Sequence, residues 1–178
     1  MGSLRNQMLI SMPHMSDLIF SKSVIYICEH DRNGAMGIII NKQLNSSDIK
    51  AIIKQPYSFG SSSKSSLKNI YFGGPVSLEK EIIIYSTSAY SHQKISILKG
   101  KSELNELKVK KDIQYKIMLG HSGWGAGQLE KEIKSGDWLI QNTSSDFAFN
   151  IPSNQMWKKA VQQTGVDLSS PIDPIGYT

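Results

Sequence analysis

Short apolar blocks, bounded by polar or turn-forming residues, recur along most of the chain, and their lengths suit β-strands. Residues 24–29 and 36–40 are two such blocks. Between them lies Asp31-Arg32-Asn33-Gly34, whose Asn-Gly pair supplies the positive φ that a hairpin loop uses. Upstream, the pattern predicts a strand, a loop marked by Pro13 and one turn of helix over 17–20. Further strands are expected at 70–72, 82–85, 95–98, 115–119, 138–141 and 147–149.

Helical spacing appears in four places. Ile49, Ile52 and Ile53 fall at i, i+3 and i+4, after a cap at Ser46 or Ser47 and before Pro56. A second helix, capped near Ser102, places Leu104 and Leu107 on one side, and a third over 128–135 has Leu129 and Ile133 four apart, with Gly136 ending it. The last is expected to start at a Ser153 cap, turn Trp157, Ala160, Val161 and Thr164 inward, and close at Gly165. The serine-rich stretch 58–68 lacks apolar periodicity and is expected to be a mobile surface loop, with 170–178 a flexible tail. No repeat, heptad or composition break divides the chain, which predicts one domain over 1–178.

Composition narrows the function classes. With 178 residues, 39% hydrophobic and 20% charged, the chain can build an ordinary core, and no stretch approaches the roughly 20 apolar residues that span a bilayer. The start lacks the pattern of an export signal, and a single cysteine, Cys28, suits a reducing compartment, so a cytoplasmic protein without membrane contact is expected. The formal charge of +5 is carried almost wholly by lysines interspersed with acids, and only Arg5 and Arg32 are arginines. Exposed lysine-rich faces explain that balance more simply than a nucleic-acid track, which interleaves bases with aromatic platforms.

Residues 120–133, GHSGWGAGQLEKEI, hold four glycines in eight positions and invite three chemical readings. A Walker loop fails because Gly125 is followed by Ala126-Gly127 rather than Lys-Ser or Lys-Thr. The dinucleotide fingerprint fails because Gly123, Gly125 and Gly127 run G-x-G-x-G. A nucleophile elbow at Ser122 fails because Trp124 stands where a small residue is needed. A strand-to-helix joint covered by Trp124 is the better reading, with some anion affinity at the start of the following helix, where Glu130 and Glu132 already answer part of the field. Cys28 and His30 lie two apart on one strand, and so on one face, yet about 6.6 Å of chain separates them. Cys28 therefore reads first as a buried small hydrophobe and only second as a redox thiol. His14, His30, His92 and His121 show no ligand spacing, so neither a metal nor another cofactor is expected.

Taken together, the stretch 12–42, the YFGGPVS of 71–77 and the GWGAGQLEKEI of 123–133, followed by Trp138, resemble the YqgE/AlgH family of small bacterial proteins. The resemblance implies an α+β fold: one compact domain with a bent, largely antiparallel sheet forming a partial barrel, and flanking helices. It also implies a cytoplasmic protein without an established activity, some family members being labelled transcriptional regulators. The family pattern falls on His30, Gly34, Gly37, Asn41, Gly73, Gly74, Pro75, Val76, Gly123, Trp124, Gly127, Gln128, Leu129 and Glu130. Gln43 departs from it, as do the segment after Glu79 and the pair His121-Ser122. The expected surface for a macromolecular partner or small ligand comprises His30, Asn41, Gly73, Gly74, Pro75, Gly123, Trp124, Gly127, Gln128 and Glu130. A non-catalytic binding or regulatory protein is the leading expectation. A thiol enzyme using Cys28 with His30 and a DNA-binding regulator are the alternatives.

Overall fold

Residues 2–52, 69–87, 95–98, 101–110 and 113–166 are described by the computed structural model; the expected loop 58–68 and tail 170–178 lie outside them. The elements in chain order are β1 (Gln7–Ser11), β2 (Val24–Asp31), β3 (Gly34–Ile39), α1 (Ser46–Ile52), β4 (Ile70–Phe72), β5 (Val76–Thr87), β6 (Ser96–Leu98), α2 (Lys101–Lys110), β7 (Ile113–Gly125), α3 (Gln128–Lys134), β8 (Trp138–Asn142), α4 (Ser145–Asn150) and α5 (Ser153–Gln163). The strands form one eight-stranded sheet in the order β6-β5-β7-β3-β2-β1-β8, with β4 paired to β7 off that path. All pairings are antiparallel except β4 with β7, and the sheet is not closed: β6 and β8 are its edges.

The branch at β4 shapes everything that follows. β3 pairs with the end of β7, from Gly37 opposite Ser122 to Gly34 opposite Gly125. Beyond Ile39 the chain leaves β7 and β4 enters the gap. The Ile39 amide donates to the Gly73 carbonyl at 2.8 Å, Phe72 N donates to Lys42 O at 2.8 Å and Leu44 N to Ile70 O at 2.9 Å. On its other side β4 follows β7 in parallel, Ile70 opposite Ile117 and Phe72 opposite Leu119.

Both faces of the central strands are buried, which is why their sequences read as continuous apolar blocks. The alternation is nevertheless strict: Val24 and Tyr26 of β2, Met8 and Ile10 of β1, and Ile38 and Ile40 pack with α4 and α5. Ile25, Ile27, Leu9 and Ile39 pack on the opposite face with Trp124, Leu129 and Trp138. A third cluster joins Ile83, Ile117 and Leu119 to Ile49 of α1 and Leu104 of α2.

Several expectations need correction. Residues 147–149 form part of helix α4: Ser144 Oγ accepts from Phe147 N at 3.1 Å, and Ala148 N donates to Ser144 O, also at 3.1 Å, the i to i−4 bond of a helix. The strand expected at 115–119 runs on as β7 to Gly125, so the glycine run is mostly strand and the joint is Ala126-Gly127. In the hairpin, Asp31 pairs with Gly34, leaving Arg32 and Asn33 as the loop; Gly34 takes the positive φ, 138°. The α1 cap is Asn45, whose Oδ1 accepts from the amides of Ser47 and Asp48, both at 2.9 Å. Ser153 opens α5 without capping it, and Met156 is buried with Ala160 and Val161 while Thr164 is exposed. β5 is longer than the expected 82–85 and has a register break between Val76 and Glu81.

Candidate functional site

The expected surface residues separate into three places. Gly73 and Gly74 lie against β7 where backbones meet: a Cβ on Gly73 would stand 2.3 Å from the Gly120 carbonyl oxygen, and one on Gly74, whose φ is 149°, would stand 2.2 Å from the His121 carbonyl carbon. Only glycine fits there. Pro75 follows at the surface, and Gly123 faces open space.

The second place is the β7–α3 joint, held by a carboxylate that the sequence reading underrated. Glu132 Oε2 accepts from Trp124 Nε1 at 2.8 Å and from Trp138 Nε1 at 2.9 Å. Its Oε1 accepts from Gln128 Nε2 at 2.9 Å, and Gln128 Oε1 accepts from Gly125 N at 3.0 Å. The two indoles meet edge-on, 6.2 Å between centres, with Phe20 edge-on to Trp138 at 5.9 Å. Gly127 starts α3 in the left-handed region, φ 71°. Alongside, His30 Nδ1 accepts from Leu4 N at 2.9 Å, so the proton sits on Nε2, which faces Glu130 Oε1 at 3.0 Å. Glu130 is held below the usual carboxylate range first by its own backbone N–H and then by the His30 hydrogen bond. These bonds fasten the N-terminal segment, β2, β7 and α3 to one another.

Cys28 and His30 do not share a face. The β2–β3 register shifts between Ile27 and Glu29, and this bulge leaves Cys28 in the core beneath α4 and α5, whereas His30 turns to α3 on the other side. Burial, then the charge of Glu29, pushes the Cys28 thiol up to about 12. That works against a thiolate nucleophile. Among the described residues no group of three or more His, Cys, Asp or Glu could hold a metal ion, and no helix is long and apolar enough to cross a membrane.

Asn41 belongs to the third place, away from the joint. Its Oδ1 accepts from Val24 N at 2.8 Å and its Nδ2 donates to Lys22 O at 2.9 Å, tying the turn before β2 to the chain beyond β3. It also lines a cavity of about 740 Å³ between the branched sheet and the α4–α5 connection, with walls from Asn41, Lys42 and Gln43, Tyr71 of β4, Lys116 of β7, and residues 149–154. Lys116 is 4% exposed. Its Nζ donates to Ile40 O at 3.0 Å and stands 4.5 Å from the centre of the Tyr71 ring. Burial lowers its pKa to about 8. Lys42 is lowered as well, by burial and against the pull of Asp17, and its ammonium donates to Ile19 O. No Asp or Glu appears among the described lining residues.

Lys116 escaped the sequence reading, yet a signal for it existed. It is the lone charge inside the apolar run 115–119, two residues from Met118, and strand alternation puts both on the face that α4 and α5 cover.

The fold and sequence have close counterparts. A UPF0301 protein of Vibrio vulnificus is 35% identical over 185 residues, covering 98% of this chain and 99% of its own, and one of Marinomonas is 36% identical over 182 residues, covering 98% and 96%. The solution structure of the AlgH protein from Pseudomonas aeruginosa superimposes with a TM-score of 0.68 at 28% identity, covering 99% of this chain and 96% of that one. A crystal structure of a Corynebacterium diphtheriae protein shares the fold at TM-score 0.70 and 18% identity, covering 95% and 90%. Residues 8–169 match the AlgH-like family as a whole, and the chain belongs to that family.

Proposed function

We propose that this chain is a non-catalytic binding protein, acting in the cytoplasm, whose ligand occupies the cavity between the branched sheet and the α4–α5 connection. One observation carries the reading: a buried lysine, with no carboxylate among the described lining residues, stands on the wall of a cavity of about 740 Å³. Small-ligand sites run to about 300–1,000 Å³ and combine apolar walls with a few placed polar groups. Tyr71 and Phe149 supply the former, and Asn41, Lys116 and Ser153 the latter. A regulatory role follows if occupancy alters the α4–α5 connection, which forms one whole wall.

The joint around His30, Gln128 and Glu130 supports this reading less well, because its donors and acceptors answer one another and leave shape as its main offering. Neither the thiol enzyme nor the DNA regulator gains a feature from the geometry.

The test is a fragment screen by thermal shift on the wild type and on Asn154→Trp, a rim change at an exposed position. Several fragments should raise the melting temperature of the wild type and fail on the variant. Equal shifts in both, or none in either, would contradict the proposal.

A further inference from the structure

We infer that the cavity takes a small ligand with an oxyanion head, a phosphate ester or a carboxylate, seated between Lys116 and the first residues of α5. This rests on the cavity reading above and adds the ligand's chemical class.

Charge is the first ground. An ammonium taken out of water without an opposite charge is costly, and a carbonyl with an aromatic face is thin compensation for three N–H donors. Lys116 has one carbonyl partner, Ile40 O, and the Tyr71 ring. Lys42, the other cation on the wall, turns its ammonium to Ile19 O and feels Asp17; being itself a cation, it cannot neutralise Lys116. An incoming anion would supply what the described wall lacks.

The start of α5 is the second ground. Ser153 and Asn154 lie in the wall, Pro152 precedes them, no side chain caps the helix and its first turn holds no acid. The first amides of an α-helix carry partial positive charge, which suits phosphate or carboxylate oxygens; in α5 the third of them, Gln155 N, already donates to Pro152 O at 2.9 Å, so the ligand would face Ser153 and Asn154. A buried lysine and an uncapped helix start thus border one hollow. Tyr71 and Phe149 give the rest of the ligand an apolar wall.

Calorimetry with phenyl phosphate, benzoate and benzyl alcohol separates charge from shape, since all three carry one aromatic ring. At pH 7 at least one anion should bind ten-fold or more tightly than benzyl alcohol, and whichever anion wins assigns the head. Lys116→Met should erase that advantage, bringing the anions to the level of benzyl alcohol on the same variant. In the wild type, anion affinity should fall as pH passes about 8, where Lys116 loses its proton, while benzyl alcohol stays level. Lys42 and Tyr71 are the other titratable groups on the described wall, and Lys42→Met should leave that pH midpoint in place. Benzyl alcohol binding as tightly as the anions would overturn the anion class and leave the cavity reading standing. An anion preference that survives in Lys116→Met, or no binding by any probe, would overturn the inference as well.

Discussion

Lys116 of β7 reaches across β4 to donate to the Ile40 carbonyl, 3.0 Å away, and this pairing puts a cation inside the protein where the strand pattern calls for an apolar residue. Local rules broken without a structural gain are most often broken at functional sites.

Lys116→Met should therefore stabilise the protein at neutral pH, by about 1–3 kcal/mol, since an apolar side chain of similar length escapes the desolvation of the ammonium. The folded-state pKa, about 8, is below the ordinary 10.5, so between those values the unfolded chain holds more protons and wild-type stability rises with pH. The advantage of the variant should be full below pH 8 and shrink towards pH 10. Urea unfolding at pH 7 and pH 10 checks both parts; a variant less stable at pH 7 would refute them.

Glu132→Ala should cost about 2–4 kcal/mol, because two indole N–H groups lose their shared acceptor while Trp124 and Trp138 remain largely buried. Tryptophan fluorescence should shift to the red as the joint loosens. A variant with unchanged emission and melting temperature would show that the carboxylate is dispensable.

Two glycine variants form a matched pair. Gly74→Ala places a Cβ 2.2 Å from backbone at a φ of 149° and should abolish folding or cost well over 3 kcal/mol, whereas Gly123→Ala meets nothing within 4 Å and should stay within about 0.5 kcal/mol of the wild type. Circular-dichroism melts of both suffice. Similar behaviour of the two would mean that the β4–β7 approach is looser than described.

Cys28 should resist alkylation in the native protein, with no rate inflection below pH 9, because its thiol is pushed up to about 12 and buried against Tyr26. Fast labelling with an inflection near neutral pH would restore the thiol reading.

The parts of the fold legible in the sequence are those fixed by neighbours in the chain. The hairpin around Asp31 and Gly34 and the helix from Gln128 to its Gly136 stop follow from local turn and cap chemistry. Phe147 to Phe149 misled because an apolar triplet, Phe-Ala-Phe, suits a strand and a buried helix alike, and only the Ser144 cap separates the two. The bulge at Cys28 leaves no mark in the residue pattern, so Cys28 and His30 looked like companions. The cavity was least legible of all: Asn41, Tyr71, Lys116 and Asn150 come from four remote stretches, and only the wedging of β4 between β3's continuation and β7 brings them to one hollow.

Backbone amide NMR with the strongest-binding fragment tests the central claim most directly. The amide signals of Tyr71, Lys116, Asn150, Ile151, Ser153 and Asn154 should move together along one binding curve while those of His30, Gly127 and Gln128 stay in place. Movement centred on His30 and Gln128, or scattered without a common curve, would contradict it.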